Sequence, residues 1–89
     1  MKIVNYALPM YLGGVVEYRD KIGKILDLEE RNGYCFLWAL VGEEFQERRI
    51  IVYCVPKGEM WREDIGRMEF VGMARGERDE EWFYFVDWE

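Results

Sequence analysis

The chain has 89 residues, 51% of them apolar and 17% aromatic, and its 18 acidic and 12 basic side chains leave a net charge of −6. It contains no Ser, Thr or His, which excludes Ser and Thr nucleophiles, imidazole bases, histidine metal ligands, N-glycosylation and any hydroxyl phosphorylation other than on tyrosine. The acidic balance is spread along the chain and repels phosphate backbones, and no apolar run reaches the ~18 residues of a membrane-spanning helix.

Short apolar runs are broken by Gly, Pro or charge about every ten residues, the spacing of an antiparallel all-β domain. The first predicted strand covers Lys2 to Leu8 and stops at Pro9. Gly13-Gly14 reads as a turn; it lacks the lysine and helix that a phosphate-binding loop needs. Val15 to Tyr18 and Lys24 to Glu30 follow as strands two and three. Asn32-Gly33 is the strongest local signal, because both residues tolerate the positive φ of a two-residue hairpin turn. The fourth strand, Tyr34 to Val41, is almost wholly apolar and is expected at the centre of its sheet. The fifth covers Arg48 to Val55 and is closed by Pro56-Lys57-Gly58. Residues 59–67 fit a single helical turn or an irregular loop: Met60, Trp61 and Ile65 have loosely helical spacing and Gly66 would end it. The sixth strand covers Met68 to Ala74, and Glu81 to Trp88 is the last. The expected fold is a single domain over residues 1–89. It is mainly β, a small antiparallel sheet curled or folded as a two-layer sandwich, with at most one short helix.

A two-residue Asn32-Gly33 loop sets a register in which Arg31 faces Tyr34. Leu28 then lies opposite Leu37 and Leu26 opposite Ala39 on a core face. The other face sets Glu29 opposite Phe36 and Asp27 opposite Trp38. Carboxylates beside large rings do not make a dry core, so Phe36 and Trp38 are shielded by another element or offered to a partner. A one-residue slip would exchange the faces. In the last strand Trp82, Tyr84, Val86 and Trp88 share one side, and Phe83, Phe85 and Asp87 the other. That pattern fits a strand buried on both faces, or an edge that pairs with a second chain.

Cys35 and Cys54 sit in apolar runs without metal-binding spacing and are expected as buried free thiols. The adjacent carboxylates Glu29-Glu30, Glu43-Glu44 and Glu80-Glu81 are expected in solvent, since nothing suggests the cleft that two-carboxylate chemistry requires. Arg75 and Arg78 flank Gly76 beside the aromatic last strand; with Trp82 and Tyr84 they make an alternative candidate site, because arginine with rings is the usual means of gripping a nucleotide. A small domain buries only about 60–65% of its unfolded surface. The aromatic surplus therefore points to an interface, and a homodimer is one expectation.

The stretch Asn32-Gly33-Tyr34-Cys35-Phe36-Leu37-Trp38-Ala39-Leu40-Val41, preceded by Ile25-Leu26-Asp27-Leu28, resembles a family of small, functionally uncharacterised bacteriophage and prophage proteins. These are similar in length and carry an Asn-Gly turn followed by a Leu-Trp-Ala-Leu-Val strand. Arg49-Ile50-Ile51-Val52, Phe70-Val71-Gly72-Met73 and Phe85-Val86-Asp87-Trp88-Glu89 match further segments in order, so the resemblance covers most of residues 24–89. The chain departs from it at Cys54-Val55-Pro56-Lys57-Gly58, where family members carry a Gly-x-Gly-His-Pro-like segment, and it lacks a histidine in the last strand. No role of those histidines is carried over. The resemblance implies a viral setting and no activity.

The expected function is that of a non-enzymatic binding protein, a phage accessory factor such as an inhibitor of host defence. It would contact a host or phage protein through Phe36 and Trp38 with Asp27 and Glu29. The alternatives are a protein that sequesters a nucleotide or small ligand through Arg75, Arg78, Trp82 and Tyr84, and a virion or assembly component. No cofactor or metal is expected, nor contact with a membrane. The N-terminal segment is not a signal peptide in pattern, so the expected location is the cytoplasm, that of the host for a phage protein.

Overall fold

Alternating side chains decide the strands. In the computed structural model, which describes residues 1–9, 14–58, 65–76 and 78–89, Cys35, Leu37, Ala39 and Val41 are buried while Tyr34, Phe36, Trp38 and Leu40 turn outward. The described residues form seven strands: β1 (Lys2–Leu8), β2 (Val15–Asp20), β3 (Ile22–Arg31), β4 (Tyr34–Val41), β5 (Arg48–Pro56), β6 (Glu69–Arg75) and β7 (Glu81–Trp88). One 3-10 turn, Ile65–Arg67, is the only helical element among them. Of the segment predicted as a turn or loop, residues 59–64 lie outside the described residues, as do Gly13 and residues 10–12.

The strands build two antiparallel sheets, in the orders β1-β4-β3 and β2-β5-β7-β6. The mainly β, two-layer fold is therefore as expected, with β4 central in its sheet. The Cα positions span 40 × 30 × 15 Å, and the short dimension suits two sheets packed about 10 Å apart. Leu8, Ile22, Cys35, Leu37, Ala39 and Val41 from one sheet meet Ile50, Val52, Cys54, Ala74, Trp82, Tyr84 and Val86 from the other. Among the described residues no helix is long and apolar enough to cross a membrane.

The β3–β4 hairpin turns at Asn32 (φ 52°) and Gly33 (φ 80°), the positive-φ pair that matches the twist of the flanking strands. Arg31 pairs with Tyr34, Glu29 with Phe36, Leu28 with Leu37 and Asp27 with Trp38. The register then departs from the expected one. Ile25, not Leu26, pairs with Ala39, because β3 is bulged between Ile25 and Asp27 and again between Ile22 and Lys24. Each bulge adds a residue and shifts the phase. Ile22 thereby enters the core, Ile25 packs against it, and Leu26 is left 42% exposed. Gly33→Ala places a Cβ in the left-handed region and is expected to cost about 1–2 kcal/mol, read as a lower denaturant midpoint. No loss of stability would contradict the turn geometry.

Side chains close both lateral seams of the sandwich. At one, the Tyr6 and Tyr18 rings lie 4.6 Å apart. There the Tyr6 hydroxyl donates to Asp20 Oδ2 at 2.9 Å and the Tyr18 hydroxyl donates to the Ala7 carbonyl. Burial, and then the Asp20 carboxylate, push the Tyr6 hydroxyl well above its ordinary range. At the other seam, β6 packs on β3 where Gly72 meets Leu28.

Candidate functional site

β4 is the middle strand of its sheet, so its outward side chains have neighbours on both sides. Trp38 lies between Asn5 of β1 and Asp27 of β3, and Phe36 between Ala7 and Glu29. Leu40 lies beside Ile3, and Tyr34 beside Arg31. The four residues expected to make a contact surface, Phe36, Trp38, Asp27 and Glu29, are thus brought together on one face. Two further members were not anticipated. Tyr34 is 69% exposed and Ile3 is 61% exposed. Tyr34 was legible, since it shares the period-two phase of Phe36 and Trp38. Ile3 was not, because its place depends on β1 pairing with β4.

Glu29 organises this face. Its Oε1 accepts the Trp38 indole N–H at 3.1 Å, and its Oε2 receives Arg31 Nη2 at 2.9 Å. The indole N–H first, then the Arg31 guanidinium, hold the Glu29 carboxyl below its ordinary value of 4.5. The Trp38 ring is half-buried, with its polar edge fixed and its apolar body outward. Asp27 Oδ1 accepts the Leu28 amide at 2.9 Å, which sets its carboxylate at the strand surface. Such a face offers apolar area at low entropic cost together with fixed negative charge. Trp38→Phe removes the leading hydrogen bond and is expected to return the Glu29 pKa towards its ordinary value in an NMR titration of the side-chain carboxyl. An unchanged value would show that the indole does not hold it. Because the folded value is lowered, this contact favours the folded state above the ordinary carboxylate pKa, and the benefit fades as pH falls through the lowered value.

The alternative set does not assemble. Ala74 pairs with Trp82 on the core side, and Arg75 pairs with Glu81 one residue out of phase, so Arg75 and Trp82 belong to opposite faces. Trp82 is 9% exposed and Tyr84 is fully buried. The Tyr84 hydroxyl donates inward to the Pro9 carbonyl at 2.7 Å. Arg75 Nη2 approaches Glu81 Oε1 at 3.9 Å, and the Arg78 amide donates to Glu80 Oε2 at 2.8 Å within the turn. Proximity in sequence suggested a grip that strand parity divides. The β7 strand itself is interior to its sheet, not an edge. Its outward Phe83 and Phe85 lie against Phe70, with ring centroids 6.3 and 5.4 Å away.

Cys35 and Cys54 are buried thiols outside any disulfide, on facing sheets. Burial pushes the Cys35 thiol up to about 11. A thiol this far from its reactive thiolate form, and shielded from solvent, does not react readily. Both cysteines are expected to resist a soluble aromatic disulfide reagent in the native protein and to react fully after denaturation. Rapid labelling of the folded chain would contradict their burial. Of the paired glutamates, Glu43 takes an ion pair from Lys21, which lowers its pKa, and Glu30 Oε1 accepts the Gly33 amide at 3.3 Å. No family model, no curated protein and no solved structure matches the chain.

Proposed function

We propose that the protein is a non-enzymatic binding protein that engages another protein through the outer face of the β1-β4-β3 sheet. The observation that carries this reading is the Trp38 indole, pinned by Glu29 at the middle of a sheet face that no described element covers. A fixed tryptophan flanked by Tyr34 and Phe36 has the character of an interface anchor, since such residues supply most of the binding energy where they are desolvated. Asp27 and Glu29 favour a partner whose matching patch is apolar at its centre and basic at its margin. The viral setting, with a host or phage protein as partner, rests on the resemblance of residues 24–89 to small phage proteins.

Two variants test it. Trp38→Ala removes the anchor, and Tyr34→Ala removes an exposed ring whose loss leaves the core untouched. Each is first shown to be folded by its circular dichroism and denaturation midpoint. Affinity capture from bacterial and phage-infected lysates is then compared with wild type by quantitative mass spectrometry. The reading expects specific partners of the wild-type chain to be lost with Trp38→Ala and weakened with Tyr34→Ala. Identical partner lists for all three folded proteins would sink it.

A further inference from the structure

A groove opens at the seam between the two sheets, away from the Trp38 face. It has a volume of about 420 Å³ and is lined by Gly23, Lys24, Ile25, Arg48, Glu69 and Trp88. Its origin lies in strand lengths. β6 begins at Glu69, opposite Val86, so Asp87 and Trp88 at the end of β7 have no β6 neighbour. β3 continues past that point, and its two bulges bracket the stretch that forms the groove wall. Bulges re-aim side chains and leave the extra residue outside the ladder. A Cβ at Gly23 would lie 2.3 Å from the Phe45 ring, so that ring would have to shift to admit one.

Most cations of the described surface are paired, and the two at this groove are not. Arg19, Lys21, Arg31, Arg49, Lys57 and Arg75 each have a carboxylate partner. Among the described residues Lys24 has none, and Arg48 is held instead by a ring. Its guanidinium carbon stands 4.3 Å from the Trp88 ring centroid. A cation over a ring face is held without using an N–H donor, so the guanidinium N–H groups remain for a bidentate acceptor. The Trp88 ring is fixed in turn, because its indole N–H donates to Glu69 Oε1 at 3.0 Å. Lys24 and Arg48 thus line the groove without an ion pair to a carboxylate, and with Glu69 they leave it one positive charge in a chain of net charge −6.

We infer that this groove binds a small organic phosphate, with the phosphoryl group on Arg48 and Lys24 and the organic part against Trp88 and Ile25. The volume lies in the ~300–1,000 Å³ range of small-molecule sites. Glu69 defines the class more narrowly. One of its oxygens accepts the indole N–H, and as a lining carboxylate it can accept a further hydroxyl or amine donor from a ligand. The hydroxyls of inorganic phosphate sit on the anion itself and bring its charge against that carboxylate, whereas a phosphate ester of a sugar or nucleoside brings uncharged hydroxyl or amine donors set apart from the phosphoryl group.

The test is a titration of ¹⁵N-labelled protein with AMP, adenosine and inorganic phosphate, followed by amide and indole NMR signals. AMP is expected to shift the Trp88 indole and the Gly23, Lys24 and Ile25 amides, with a Kd below about 1 mM. Adenosine and inorganic phosphate should each bind at least about tenfold more weakly, as should AMP to Arg48→Gln and to Lys24→Gln. Both substituted side chains are exposed, and the same spectra report that the variants fold. The assignment is overturned if AMP leaves those signals in place at about 10 mM. It is also overturned if adenosine or inorganic phosphate binds as tightly as AMP, or if both variants bind AMP as the wild type does. These outcomes are independent of the Trp38 face, whose signals should not move.

Discussion

Tyr84→Ala is expected to destabilise the protein by about 4–5 kcal/mol, the cost of removing a large buried ring together with a hydrogen bond. Tyr84 is fully buried on the inner face of β7, which runs between β5 and β6. Its hydroxyl donates to the Pro9 carbonyl at 2.7 Å across 75 residues of sequence. It therefore ties the segment after β1 to the opposite sheet. A domain of this length holds only about 4–13 kcal/mol in total, so the alanine variant should be at or near the edge of folding. Tyr84→Phe separates the two contributions. It keeps the ring and leaves the Pro9 carbonyl without its donor, a loss of about 1–3 kcal/mol. Urea denaturation with an unchanged m-value reads both numbers. If Tyr84→Phe matched wild type within about 0.5 kcal/mol, the hydroxyl would not be a tie between the sheets.

The same residue gives the protein a predictable alkaline limit. Burial, then the neighbouring Cys54 and Cys35, raise the Tyr84 hydroxyl far above its ordinary value of 10.0. Cys35 is raised from 9.0 to about 11. In both cases the folded state favours the protonated form. Their contribution is complete below the unfolded pKa and declines as pH rises through the folded value. The denaturation midpoint should accordingly be flat up to about pH 9, fall as Cys35 is drawn out, and fall faster past about pH 10 as Tyr84 adds to it. Tyr84→Phe should make the later part of that decline shallower, and the raised Tyr6 hydroxyl accounts for what remains.

The hairpin shows how far a sequence reaches. Asn32-Gly33 fixed the pairing of Glu29 with Phe36 and of Asp27 with Trp38, and so the composition of the candidate face. The reading failed one residue further on, at Leu26, because strict alternation carries no term for a bulge. The spacing of three in Ile22, Ile25 and Leu28 is its only trace in the sequence. Non-local pairings were also out of reach. That β1 lies beside β4, bringing Ile3 and Asn5 to Trp38, depends on which sheet buries Val4, Tyr6 and Leu8. The groove at Arg48 and Trp88 joins residues from four strands in two sheets, and no short motif encodes it. The arginine-aromatic set failed for a simpler reason: Arg75 and Trp82 are close in sequence, but successive residues of paired strands face opposite ways.

Gly72→Ala is expected to cost about 2–4 kcal/mol, the sum of a backbone that alanine rarely adopts and a collision at the β3–β6 seam. Gly72 has φ 151° and sits at the bulge between the Phe70 and Tyr84 registers. A Cβ there would stand 2.9 Å from Leu28 Cδ2 and 3.0 Å from Leu28 Cβ. The first contact is relieved by rotating Leu28. The second is not, because the Leu28 Cβ moves only with the β3 backbone. A double-mutant cycle with Leu28→Ala distinguishes the two causes. If the Leu28 side chain beyond Cβ dominates, Gly72→Ala should cost less in the Leu28→Ala background. If the φ angle and the Cβ–Cβ approach dominate, the cost should be the same in both. A Gly72→Ala protein as stable as wild type would mean that β6 does not close on β3 here. The wall of the Arg48 groove would then have no fixed position, since the two share this seam.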